Sequence, residues 1–262
     1  MVSVSVVLTY KGTLLPSTLP HCLDCIHNQT CPPDEVILID GNKEGQNETE
    51  SILIGFKKAK GEILFSTNVD CYVPRDWIES HLRWHGRGYP LVSGLRVERG
   101  EIGSSRNPLT KGDALFEQRP NIGVTGSNFS ISKNILSKIT WPRMRHAWDM
   151  EISLQVPKFV IDTSVIVVHD HPFKNLKDSY VKAFQYSVWA LEMIRLTNSR
   201  ITMGGRSGVR ISLKNVLFEA LQVNPVRVYR KYGEGSLPRF LFNRFVFRLG
   251  QFSGLVYGVL FV

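Results

Sequence analysis

The sequence predicts an α/β domain with a mostly parallel central sheet flanked by helices, and three observations carry that expectation. Short apolar runs recur at residues 4–8, 36–40 and 63–66, and helix-patterned segments separate them. Strands that are apolar throughout are buried on both faces, the state of a parallel sheet covered by crossover helices. Each run also leads into polar residues, and in such sheets the carboxyl ends of the strands are where ligands sit.

Val2-Ser3-Val4-Ser5-Val6-Val7-Leu8 alternates small polar with β-branched residues and has no basic start, so it reads as a strand and not as a signal peptide. A helical pattern then runs to about residue 29, with Leu19, Cys22, Leu23 and Ile26 on one face. That spacing makes Cys22-x-x-Cys25 part of a core-facing stripe rather than a zinc cluster, since no second pair at metal-ligand spacing follows. With Cys31 and Cys71 the cysteines are too few for a disulfide framework in 262 residues, and a reduced, cytosolic setting is expected.

A strand at 36–40, a helix at 49–58, a strand at 63–66, a helix that starts at Pro74-Arg75-Asp76-Trp77 and a strand at 91–95 come next. Residues 96–121 are long, Gly-rich and charged, the character of a functional loop. A strand at 122–131, short helices at 133–138 and 149–157, a strand at 159–168 and a long helix over Leu176–Thr197 follow.

The polar groups at the strand ends are Thr9-Tyr10, Asp40, Asn68-x-Asp70 and His169-x-His171. Oxygen ligands joined by an imidazole suit a hard divalent cation that keeps positions open for phosphate oxygens.

The runs Val4-Ser5-Val6-Val7-Leu8-Thr9-Tyr10, Pro33-Asp34-Glu35-Val36-Ile37-Leu38-Ile39-Asp40 and Gly61-Glu62-Ile63-Leu64-Phe65-Ser66-Thr67-Asn68-Val69-Asp70 resemble family-2 glycosyltransferases with the GT-A fold. Gly126-Ser127-Asn128, Trp148-Asp149-Met150-Glu151 and Val168-His169-Asp170-His171 continue the likeness, which covers about residues 2–190. The resemblance implies an inverting, metal-dependent transfer of one sugar. It would place Thr9 and Tyr10 against the nucleotide base with Asp40 bonding it, Asn68 on the ribose or a metal-bound water, and Asn128 beside the donor sugar. Asp70 would hold Mn2+ or Mg2+ and the donor diphosphate, and His169, or less readily His171, would complete the metal site. Asp149 would be the general base. The sequence departs from the family pattern at Asn68, where a first carboxylate is usual, and at Trp148, where a Glu is usual. These departures suggest an alternative, a catalytically inactive sugar-nucleotide or glycan-binding protein of the same fold. The Q-x-x-R-W signature of processive synthases is absent, so a non-processive enzyme is expected.

The expected division is a catalytic domain over 1–198, with a nucleotide-binding half at 1–95 and an acceptor half at 96–198, and a basic extension over 199–262. Of the net charge of +9, +8 belongs to that extension: residues 200–262 hold ten Lys/Arg against Glu219 and Glu234. Arg239, Arg244 and Arg248 interleave with Phe240, Phe242, Phe245, Phe247 and Phe252, and residues 249–262 carry no charge. Fourteen helical residues reach about 21 Å, short of the ~30 Å hydrocarbon core. The expected partners are a nucleotide-diphosphate sugar, a glycan or lipid-linked acceptor and an anionic membrane surface met through residues 239–262, with the protein peripheral on the cytosolic face. A helix pair packed on the domain is the competing reading of that tail. The apolar terminus disfavours nucleic acid as a partner.

Overall fold

The computed structural model describes residues 2–10, 17–43, 47–100, 116–117, 124–142, 148–170, 175–197, 226, 229–230 and 233–261. The chain forms two compact units, Met1–Arg96 with Gly112–His169, and Val97–Lys111 with Asp170–Val262.

In the first unit β1 (Val4–Tyr10), α1 (Leu19–His27), β2 (Glu35–Asp40), α2 (Glu48–Lys58) and β3 (Ile63–Asn68) keep the expected strand–helix alternation. The two-residue β4 (Cys71–Tyr72), α3 (Trp77–Gly86), β5 (Leu91–Glu98), β6 (Phe116–Glu117), β7 (Phe129–Ser132), α4 (Lys133–Leu136), α5 (Trp148–Gln155) and β8 (Phe159–His169) follow. Among the described residues eight strands make one sheet, ordered β2-β1-β3-β7-β5-β8-β4 with β6 on β8. Parallel pairing joins β1 to β2 and to β3, where strand–helix–strand units succeed one another. The pairs β3–β7, β5–β7, β4–β8 and β6–β8 are antiparallel, so the sheet is mixed.

Successive strand residues point to opposite faces. On β1, Val4, Val6 and Leu8 join Leu19, Cys22 and Ile26 of α1 and Trp77 and Ile78 of α3. Val7, on the other face, joins Ile52 and Phe56 of α2 and Trp148 and Ile152 of α5. Cys22 is wholly buried in this stripe, and all four cysteines are free thiols. The acids Asp34 and Glu35 brace the opposite end of the sheet: Asp34 accepts from the Val4 N–H at 2.7 Å and Glu35 from the Ser5 hydroxyl at 2.6 Å.

The strand expected at 122–131 begins only at Phe129, because residues 125–128 turn. The Asn128 N–H donates to the Thr125 carbonyl at 2.9 Å, which ends any extended run there. Most of the loop expected at 96–121, together with His171 and the glycines at 204–208, lies outside the described residues.

The second unit contains α6 (Leu176–Thr197), which starts at an Asn175 cap, and α7 (Leu237–Phe261). At 25 residues α7 is longer than the 14 expected, reaching about 37 Å, because the helix begins before the charge-free segment. It pairs with α6 at close range. A Cβ built on Gly250 would lie 2.4 Å from the Tyr180 carbonyl oxygen, and one on Gly254 would lie 2.3 Å from that of Phe184. Among the described residues no helix is long and apolar enough to cross a membrane.

Candidate functional site

Three parallel strands bring their last residues to one edge, in registers that set Tyr10 beside Asp40 and Thr9 beside Asn68. The Gly41 N–H donates to the Tyr10 carbonyl at 2.8 Å and fixes the chain as it leaves β2. Asp40 is braced: the Asn42 N–H donates to Oδ1 at 3.0 Å, the Tyr10 hydroxyl donates to the carboxylate, and Lys43 Nζ lies 3.6 Å from Oδ2. Desolvation opposes ionisation, but these donors together outweigh it and hold the Asp40 carboxyl below its ordinary value.

β3 passes through Val69 into Asp70, and β4 then sets Cys71 directly opposite His169, the last residue of β8. This short ladder brings His169 Nε2 within 3.2 Å of Asp70 Oδ1, both side chains mostly shielded at 12% and 22% exposure. Ligand atoms of Asp70, Cys71 and His169 all lie within 4.8 Å of one another. A carboxylate oxygen beside an imidazole nitrogen can ligate a divalent ion such as Mn2+. Burial, then the Asp70 charge, push the Cys71 thiol far above its ordinary pKa. Cys22, pushed up to about 12 by burial, Cys25 and Asp70, donates its S–H to the Asn68 carbonyl at 3.5 Å and secures that strand end.

Asp149 sits in the first turn of α5. Its Oδ2 accepts the Gly126 N–H at 2.6 Å and its Oδ1 the Met150 N–H at 2.9 Å. Only glycine fits at 126, where a Cβ would lie 2.6 Å from the Trp148 ring. Trp148 is itself core, packed edge-on against Phe129 and Phe56. Burial, then the like charge of Glu48, push the Asp149 carboxyl up to about 6, against the Gly126 and Met150 N–H groups and Arg96.

Arg96 and Glu48 act on these groups by charge, and sequence reasoning did not single them out. The Arg96 charge acts on both Asp149 and Cys71. Glu48 opens α2, the helix after β2, and its charge acts on Asp149. Arg96 closing the apolar stretch of β5 was the available signal, by the same strand-end rule that singled out Asp70. Asp40 contributes no ligand to the Asp70 cluster and lies two strands away in the sheet.

Asn128 is fully buried. Its amide donates to the Leu95 carbonyl at 2.8 Å and the Val165 carbonyl at 3.0 Å, while Oδ1 accepts from Trp77 Nε1 at 2.9 Å and lies 3.1 Å from His81 Nε2. The hydrogen-bonding capacity of this side chain is spent inside the protein, tying β5 and β8 to α3.

No family model matches the sequence, and no curated protein matches it. Solved structures do. The mannosyltransferase PcManGT from Pyrobaculum calidifontis, in complex with GDP-Man and Mn2+, is 14% identical with a TM-score of 0.63; the match covers 99% of this chain and 87% of that one. S. aureus TarS 1-349 in complex with UDP-GlcNAc is 8% identical with a TM-score of 0.51, covering 97% of this chain and 91% of that one. Another structure of TarS 1-349 is 11% identical with a TM-score of 0.50, covering 97% and 90%. At these identities the likeness is one of fold: a mixed α/β sheet flanked by helices, similar to GT-A glycosyltransferase structures.

Proposed function

We propose that this chain is a glycosyltransferase that moves one sugar from a nucleotide-diphosphate donor to an acceptor hydroxyl with inversion. The single observation that carries the reading is the Asp70–His169 pair, 3.2 Å apart at the ligand edge of a GT-A-like sheet. Asp149, held near a pKa of about 6, supports it from the neighbouring helix. Thr9, Tyr10 and Asp40 receive the nucleotide base, with the braced Asp40 carboxylate accepting its N–H. Asn68, at the end of β3, serves the ribose, and Asn128 holds the site from beneath. Asp70 and His169 hold a divalent ion, Mn2+ or Mg2+, which when bound supplies positive charge to the departing diphosphate. A sugar hydroxyl is a poor nucleophile near neutral pH, so a carboxylate must take its proton as attack develops. Asp149 does so at one of its oxygens, while Gly126 and Met150 keep it oriented. The acceptor is a glycan or a lipid-linked hydroxyl met at the cytosolic face of a membrane.

A thermal-shift panel of GDP, UDP and their sugars, with and without Mn2+, tests this reading. A nucleotide at 100 times its dissociation constant stabilises the protein by about 2.7 kcal/mol. That stabilisation should require Mn2+ and should disappear in Asp70→Ala and His169→Ala. In Asp149→Asn it should survive while turnover falls by at least about 10²-fold. Nucleotide binding indifferent to Mn2+ and to both substitutions would defeat the proposal.

A further inference from the structure

The second unit presents a surface that the sugar-transfer reading does not use. One side of α7 is buried, through Phe240, Asn243, Arg244, Phe247, Gly250, Gly254 and Leu255. The opposite side carries Phe242, Phe245, Leu249 and Phe252, exposed at 55%, 62%, 45% and 37%. At 3.6 residues per turn these four fall within an arc of about 80°, so they form one continuous stripe. Isolated exposed apolar residues are ordinary, but a contiguous aromatic row marks a contact surface.

The charges around the stripe identify the contact. On the same helical projection Arg239 lies on one shoulder of the row and Arg248 on the other, and Leu237–Phe261 contains no acidic residue. Residues 200–262 as a whole hold ten Lys/Arg against two Glu. An apolar stripe between cationic shoulders, on a helix whose opposite side is packed in the protein, suits a seat in the headgroup region of a bilayer, where rings enter the acyl boundary and arginines meet phosphates. A self-associating helix face gains nothing from this charge, because two copies would bring like charges together. We propose that the exposed Phe242–Phe245–Leu249–Phe252 face of α7 seats the protein on an anionic lipid surface as a peripheral, non-spanning contact.

The test is flotation of the full chain with vesicles of phosphatidylcholine alone and of phosphatidylcholine mixed with phosphatidylserine. The protein should float with the mixed vesicles, and added salt should weaken the association. A variant with Phe242, Phe245 and Phe252 all changed to Ser should lose at least about tenfold in partitioning, with its thermal unfolding unchanged because the three rings are exposed. Arg239→Gln, also on an exposed residue, should lose about fivefold on mixed vesicles and nothing on neutral ones. Three results would overturn the proposal: flotation that survives the triple variant, equal binding to both vesicle types, or absence of flotation together with a dimer in light scattering that the triple variant dissolves. None of these outcomes depends on nucleotide binding, so the lipid contact and the sugar-transfer reading stand or fall separately.

Discussion

Replacing Asp149 by Asn should stabilise this protein at alkaline pH. The Asp149 carboxyl is raised from 3.8 to about 6, chiefly by burial and then by Glu48. At about 1.4 kcal/mol per tenfold, ionising it in the folded state costs about 3 kcal/mol more than in the unfolded chain. Below about pH 4 both states are protonated and the cost is absent. Between about 4 and 6 the unfolded chain ionises first, so stability falls as pH rises, and above about 6 the whole cost is in place. Asparagine never ionises, but it gives up one acceptor for the Gly126 or Met150 N–H, a loss of about 1 kcal/mol. The variant should therefore be more stable than the parent by about 1–2 kcal/mol at pH 8, and equal or slightly weaker at pH 4. Urea unfolding at the two pH values measures this directly. A difference that does not change with pH, or a parent that is the more stable at pH 8, would refute the reasoning. In the proposed transfer the same carboxyl sets the acid limb of activity, which should rise through about pH 6, and Glu48→Gln should move that limb to lower pH.

Two further outcomes concern packing and acid stability. Gly254→Ala puts a methyl group 2.3 Å from the Phe184 carbonyl oxygen and should cost about 1–3 kcal/mol in thermal unfolding, whereas Ser253→Ala should stay within about 0.5 kcal/mol. His81, lowered to about 3 by burial and then by His85, and His85, lowered to about 4 by burial, stay neutral in the fold while the unfolded chain protonates below its ordinary 6.5. These two histidines should thus withdraw stability as pH drops from 6.5 toward 4, opposing the contribution of Asp149 over the same range, and His85→Gln should reduce that loss in denaturant titrations.

The parts of the fold that were legible in the sequence are those decided by local pattern. The alternation through β3 and the bounds of α6 rest on periodicity, turn residues and a cap. Asp70 and His169 were visible because strand ends announce themselves, and Asp149 through the resemblance carried by Trp148-Asp149-Met150-Glu151. Arg96 and Glu48 were not, since each matters through a charge on another element, a relation that only the folded chain creates. Asn128 was visible through the resemblance carried by Gly126-Ser127-Asn128, but its burial was not, because its partners Trp77, His81, Leu95 and Val165 come from three other segments. The turn at 125–128 was masked by the apolar residues around it, and the start of α7 by its run of arginines and phenylalanines.

Asp149 has a backbone N–H on each of its two oxygens. A carboxylate gripped at both ends cannot swivel to meet an incoming molecule. In the proposed transfer the acceptor must then bring its hydroxyl to the lone pairs that the two N–H groups leave open, so the protein's grip on the rest of that molecule, and not movement of the carboxylate, sets the alignment.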